Sequence, residues 1–279
     1  MNIHINDRNI FEELKRISVF NIEIGSKMYG TNNDESDTDI LYIYIPSYDE
    51  LNSISASYHQ YQFKEDGIDH IFTDIYTFIK NSLNGDSTIN FEVINNKKLV
   101  GSELEWLYNN KGIFRNYKIL RAYLGRARKD LKQISSKSEM KDMTKKLSHA
   151  IRGYNFANDI LENKFSSEID MRETGFGSTL KKARQITDTK ELYRIAKEYD
   201  TLISILRDQV NYKLDTNQLD MEIYVGKLEI VYLDGLLSSF VENKRKQLGN
   251  CNYYNSLRMI VAQAISEGID YGDSTYTVR

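Results

Sequence analysis

The chain has 279 residues, 41% of them hydrophobic and 28% charged, with a formal net charge of −3. That balance excludes a disordered or fibrous chain and fits one large domain or two modest ones. No run approaches the roughly 20 apolar residues that cross a bilayer, and a single cysteine, Cys251, excludes an intrachain disulfide and a cysteine-rich zinc site.

The N-terminal twenty residues mix acids, bases and single apolar residues, unlike a signal peptide, so a cytoplasmic location is expected. Asn6 or Asp7 can cap a helix, with Ile10, Phe11, Leu14 and Ile17 at helical spacing up to about Phe20. Residues 19–24 read as a strand stopped by Gly25. Residues 39–45 are the strongest strand in the chain, dense in β-branched and aromatic residues and ended by Pro46. Residues 58–63 and 68–72 make a hairpin around Glu65-Asp66-Gly67. Thr73 or Asp74 then caps a helix to about Leu83, and a short helix follows. Beyond residue 102 the spacing predicts long helices over 113–134, 138–161, 180–186 and 190–212, a short hairpin over 221–232, and a last helix over 256–267.

Charge divides the chain in the same place. Residues 1–100 hold 8 Lys and Arg against 16 Asp and Glu; residues 101–190 hold 19 against 11. Together with the change in pattern, this predicts two domains, 1–100 and 101–279. An acidic metal-binding half facing a basic polyphosphate-binding half is one reading; solvated helix faces are the other.

Chemistry concentrates in Gly25-Ser26-Lys27-Met28-Tyr29-Gly30 and Ser36-Asp37-Thr38-Asp39. A glycine directly after a strand lets the backbone turn sharply and approach a ligand, and a serine adds a hydroxyl and an N–H, which suits a phosphate. Asp37 and Asp39, two residues apart in an extended segment, leave the same face. A convergent carboxylate pair is commonly compensated by an oxygen-preferring divalent cation, Mg²⁺ or Mn²⁺. Asp69, in an otherwise apolar strand, is the third candidate. Two metals held by three carboxylates can clamp a nucleoside triphosphate and lower the pKa of an attacking hydroxyl.

These residues, with Ile43-Tyr44-Ile45-Pro46, resemble the DNA polymerase β-like nucleotidyltransferase superfamily. The narrower resemblance is to the "predicted nucleotidyltransferase" family of bacteria and phages, which reads Gly-Ser-Arg-x-Tyr-Gly, then Ser-Asp-x-Asp, then Lys-x-x-x-His-Ala-x-Arg on a later helix. Lys145, His149, Ala150 and Arg152 stand in that last pattern. The resemblance implies an α+β fold, with a small mixed sheet and helices in the N-terminal catalytic domain and a mainly helical C-terminal domain. It implies that Gly25 and Ser26 contact the triphosphate, with Lys27 and Tyr29 of the same motif beside them. Asp37 and Asp39 would hold two Mg²⁺ or Mn²⁺ ions, and Asp69 would complete the site and help deprotonate the acceptor. Two departures stand out: Lys27 replaces an Arg and so lacks its bidentate fork, and Leu41 replaces another Arg.

Lys145, His149 and Arg152 also share one helix face by spacing alone, and such a stripe can reach a triphosphate or a nucleic-acid backbone. Arg115, Lys118, Arg121, Arg126, Arg128, Lys129 and Lys132 form a basic helix with Tyr117 and Tyr123 interleaved; solvated surface is its expected role, with guidance of RNA or tRNA the alternative. The expected activity is transfer of an NMP from an NTP to a hydroxyl acceptor, on RNA or tRNA, a protein or a small molecule, with release of pyrophosphate. The alternative is a catalytically weak or inactive module of the same fold that binds a nucleotide or a protein partner.

Overall fold

The computed structural model describes residues 2–5, 8–32, 36–46, 60–135, 138–162, 175–215, 227–248 and 276–278. The N-terminal third is built on a mixed sheet. Its strands are β1 (Asn2–Ile5), β2 (Ser18–Ile24), β3 (Thr38–Tyr44), β4 (Gln60–Glu65) and β5 (Ile68–Asp74), with β6 (Tyr276–Val278) joining from the far end of the chain. The spatial order is β2-β3-β5-β4-β1-β6. β2 and β3 are antiparallel, β3 and β5 parallel, and β4 and β5 an antiparallel hairpin. Asp66 and Gly67, both at positive φ, make that hairpin's two-residue turn.

Alternation along β3 divides the interior in two. Leu41 and Ile43 face one core, while Tyr42 and Tyr44 face the other. The second core is small. Helix α1 (Arg8–Arg16) buries Phe11 and Leu14 there, and Phe11 stacks on Phe63 at 4.2 Å and meets Phe72 edge-on at 5.8 Å. The helix stops at Arg16 rather than running on to Phe20, because residues 18–24 pair with β3.

The first core is large and continues from the sheet into the helices. Its chain order is α2 (Ile75–Asn84), α3 (Thr88–Ile94), α4 (Glu105–Asn109), α5 (Tyr117–Lys132), α6 (Met140–Leu161), α7 (Gly175–Arg184), α8 (Thr189–Asp215) and α9 (Lys227–Leu248). Buried members run from Ile22 to Val241. The architecture is α+β: a small mixed sheet with helices, followed by a mainly helical part.

Local chemistry sets the helix ends. Asp74 caps α2 by accepting from the Thr77 N–H at 2.9 Å. Asn116 caps α5, accepting from the N–H groups of Lys118 and Ile119, while its amide donates to the Leu83 carbonyl at 3.0 Å and so ties α5 to α2. The cap explains why this helix begins at Tyr117 and not at Ile113; Lys111–Phe114 form a separate 3₁₀ turn.

Residues 227–232, expected in a hairpin, lie in α9, where Leu233, Leu237 and Val241 recur at helical spacing and are buried. Residues 221–226 and the helix expected over 256–267 lie outside the described residues. Two long-range contacts seat α9. Arg245 donates twice to the Pro46 carbonyl, at 3.1 and 2.7 Å, and Lys244 pairs with Glu103 at 2.7 Å.

Candidate active site

A cavity of about 700 Å³ lies between the ends of strands β2 and β3 and helices α5, α6 and α7. Gly25, Ser26 and Tyr29 line it from the turn after β2, and Asp37 and Asp39 from the start of β3. The turn is closed by backbone bonds from the Gly30 N–H to the Lys27 carbonyl (3.2 Å) and from the Thr31 N–H to the Ser26 carbonyl (2.9 Å). Gly25 has φ +68°, and a Cβ on it would lie 2.8 Å from Asp39 Oδ2. The glycine is therefore required twice over, for its left-handed backbone and for the space the Asp39 carboxylate occupies.

The acids meet through strand register. Asp39 is paired with Asp69 across the parallel β3–β5 ladder and with Ile24 across the antiparallel β2–β3 ladder. Burial, and then the charges of Asp69 and Asp37, raise the Asp39 carboxyl above its ordinary pKa, with Lys145 and Lys64 opposing. Asp69 itself is not in the cavity lining; its carboxylate sits 3.3 Å from Lys64 Nζ in a largely exposed pair. Among the described residues, no group of three His, Cys, Asp or Glu side chains is arranged to hold a metal ion.

The opposite wall is basic. Lys145, His149 and Arg152 of α6 all face the cavity, together with Arg126 of α5 and Lys181 and Arg184 of α7. The stripe and the Asp37/Asp39 pair thus share one cavity. Arg152 is only 8% exposed, a buried cation rather than a solvated one. Its guanidinium lies over the Tyr29 ring, 3.9 Å from the centroid. Beneath it, Glu92 is fully buried and accepts hydrogen bonds from the Tyr29 and Tyr123 hydroxyls, the latter at 2.9 Å. Burial acts against the Arg152 charge, but Tyr29, Glu92, Tyr123 and Asp130 together outweigh it and hold its pKa above the ordinary value. Helices α5 and α6 approach closely at Gly153, where a Cβ would lie 3.1 Å from both the Ala127 Cβ and the Tyr123 carbonyl.

His149 is held neutral. Burial, then Arg152, Arg184, Arg126 and Lys145, depress its pKa to about 3. Its Nδ1 lies 3.9 Å from Asp130 Oδ2, beyond hydrogen-bond reach, and with a neutral imidazole this contact is no ion pair near pH 7. Lys27 lies outside the lining, 3.5 Å from Glu23 Oε1.

Sequence reasoning passed over Arg126, Lys181 and Arg184. Arg126 belongs to the helix read as solvated surface, yet it reaches the cavity while Tyr123 on the same helix is buried. Lys181 and Arg184 sit on a helix that spacing detects, but only tertiary packing against α6 brings it to the cavity.

The mixed sheet, the Gly-Ser turn after β2 and the paired aspartates at the start of β3 define a DNA polymerase β-like nucleotidyltransferase fold. A family model described as "RNA repair pathway DNA polymerase beta family" matches residues 7–164, and the chain belongs to that family. No curated protein matches the chain. None of the helices among the described residues is long and apolar enough to cross a membrane.

Proposed function

We propose that this protein is a metal-dependent nucleotidyltransferase that transfers an NMP from an NTP to a hydroxyl on RNA. The observation that carries the reading is the single cavity in which the Gly25-Ser26 turn and the Asp37/Asp39 pair face the Lys145/His149/Arg152 stripe. In this reaction the acceptor oxygen bonds to the α-phosphorus, the bond to the bridging oxygen breaks, and pyrophosphate leaves. Such transfer needs positioning and charge neutralisation more than covalent chemistry from the protein.

The donor set fits a hard divalent cation. Asp37 and Asp39 offer carboxylate oxygens to one cavity, where a cation would offset the repulsion between them. Asp37 and Asp39 would hold Mg²⁺ or Mn²⁺, with Asp69 adjacent in register. The metal would supply Lewis-acid polarisation of the phosphates and a more acidic acceptor hydroxyl. The Gly25-Ser26 turn cradles phosphate oxygens, while Lys145 and Arg152 neutralise the triphosphate. His149, uncharged, offers a hydrogen bond without adding charge. The family's printed description points to RNA among the acceptors.

A second reading, a module of this fold that binds a nucleotide without turnover, is favoured by one observation: Asp69 is paired with Lys64 and stands outside the lining. Incubation with Mg²⁺, labelled NTPs and RNA separates the two. Pyrophosphate release with label entering RNA supports the transferase, and nucleotide binding without release supports the module.

A further inference from the structure

Arg152 and Arg184 come from different helices, α6 and α7, and line the same cavity. Each carries a buried Nε–H that finds no acceptor among the described residues. The Arg152 guanidinium lies over the face of the Tyr29 ring, 3.9 Å from its centroid. Arg184 has one neutral backbone acceptor, the Thr31 carbonyl, at 3.4 Å through Nη1. Burial, followed by the charge of Arg152, lowers the pKa of Arg184, so the two cations are close enough to oppose each other.

An unpartnered buried donor is a cost, and so are two like charges in one desolvated wall. An oxyanion between the helices removes both. Guanidinium forks match phosphate oxygens in a way that ammonium groups do not. Among the described residues, six cationic side chains, Arg126, Lys141, Lys145, Arg152, Lys181 and Arg184, line the cavity with two carboxylates, Asp37 and Asp39, a field that favours a polyanion. Arg184 also bonds to the loop that leaves the Gly25-Ser26 turn, because Thr31 closes that turn onto Ser26.

We infer that Arg152 and Arg184 form a guanidinium pair that binds a pyrophosphate group without help from a divalent metal. Resting on the nucleotidyltransferase reading, this pair is the seat of the β,γ-phosphates of the NTP and of the departing pyrophosphate. It differs from the aspartate side of the cavity in needing no cation. Arg184 lies beyond the family-matched residues.

Calorimetric titration of the full chain with pyrophosphate in EDTA tests the pair. Wild type is expected to bind saturably, and Arg184→Ala at least tenfold more weakly. Arg184→Lys, which keeps the charge but loses the fork, is expected to fall between them, and it carries the test should the alanine variant fold poorly. Asp39→Asn should bind at least as tightly as wild type, since it removes a negative charge. No binding in EDTA, or equal binding by wild type and both Arg184 variants, overturns the pair. A single-stranded RNA lacking terminal phosphates serves as the second ligand. Loss of RNA binding alone in Arg184→Ala overturns the assignment to pyrophosphate. Metal-free binding that depends on Arg184, in a protein that turns over no NTP, supports the pair and removes the transferase reading. Turnover without metal-free binding overturns the pair alone.

Discussion

Asp39 and Asp69 are register partners on adjacent parallel strands, so two carboxylates stand side by side on one face of the sheet. Asp37 stands two residues before Asp39, and burial, then the charges of Asp69 and Asp37, raise the Asp39 carboxyl above its ordinary pKa. An acid whose pKa is higher in the folded than in the unfolded state adds stability only at low pH. That contribution is lost as pH rises through the folded pKa, leaving the ionised form a cost at neutrality.

Asp39→Asn should therefore abolish Mg²⁺-dependent NTP turnover while leaving the metal-free protein at least as stable as wild type at pH 7. Melting in EDTA, beside a pyrophosphate-release assay, measures both. Retained turnover would remove Asp39 from the site, and a large fall in melting temperature would mark it as structural.

His149 gives the opposite pH signature. Its pKa is about 3 in the fold against an ordinary 6.5, so the unfolded chain takes up the proton first as pH falls. The stabilising contribution of the neutral imidazole is complete above about 6.5 and is lost as pH drops toward 3, by on the order of a few kcal/mol. His149→Gln should flatten stability over that window, as read from urea midpoints at several pH values. An unchanged pH profile would place the titration on another group.

Arg152→Ala should destabilise the protein by roughly 3–5 kcal/mol, the scale for removing one partner of a buried charged network. The Glu92 carboxylate beneath it would lose its nearby cation, with Tyr29 and Tyr123 left as its hydrogen-bond donors. Urea denaturation reads this directly. A change below about 1 kcal/mol, typical of a surface charge, would contradict the burial.

Gly25→Ala should cost about 1–2 kcal/mol for the left-handed backbone. It should also damage turnover more than stability, because the new Cβ meets Asp39 Oδ2 at 2.8 Å. Urea midpoints beside a pyrophosphate-release assay read both effects. Turnover equal to wild type would mean that the close approach of Gly25 to Asp39 does not matter.

Much of the sheet was legible because alternation and turn chemistry are local. Residues 39–45 announce a strand, and Asp66-Gly67 its neighbouring hairpin. The acidic pair and the Lys145/His149/Arg152 stripe were legible as motifs, and each stays within one element. Their burial was not. Arg152 reads as one cation of a helical stripe, and only the tertiary structure sets its guanidinium over the Tyr29 ring. Arg184 carried no local signal at all, since its place depends on how α7 packs on α6. The hairpin expected over 221–232 gives way to helix at 227–232, because Leu233, Leu237 and Val241, which mark the helix, lie past the end of that window.

The clasp between Arg245 and the Pro46 carbonyl joins residues 199 positions apart. A ribosome adding about 5–20 residues per second needs roughly 10–40 s to deliver the second partner after the first. Over that interval β3 can already pair with β2 and β5, while the core positions later filled by Leu233, Leu237 and Val241 stand open to solvent. β3 is thus assembled early and covered late, and among the described residues α9 is the last helix to reach the apolar interior during synthesis.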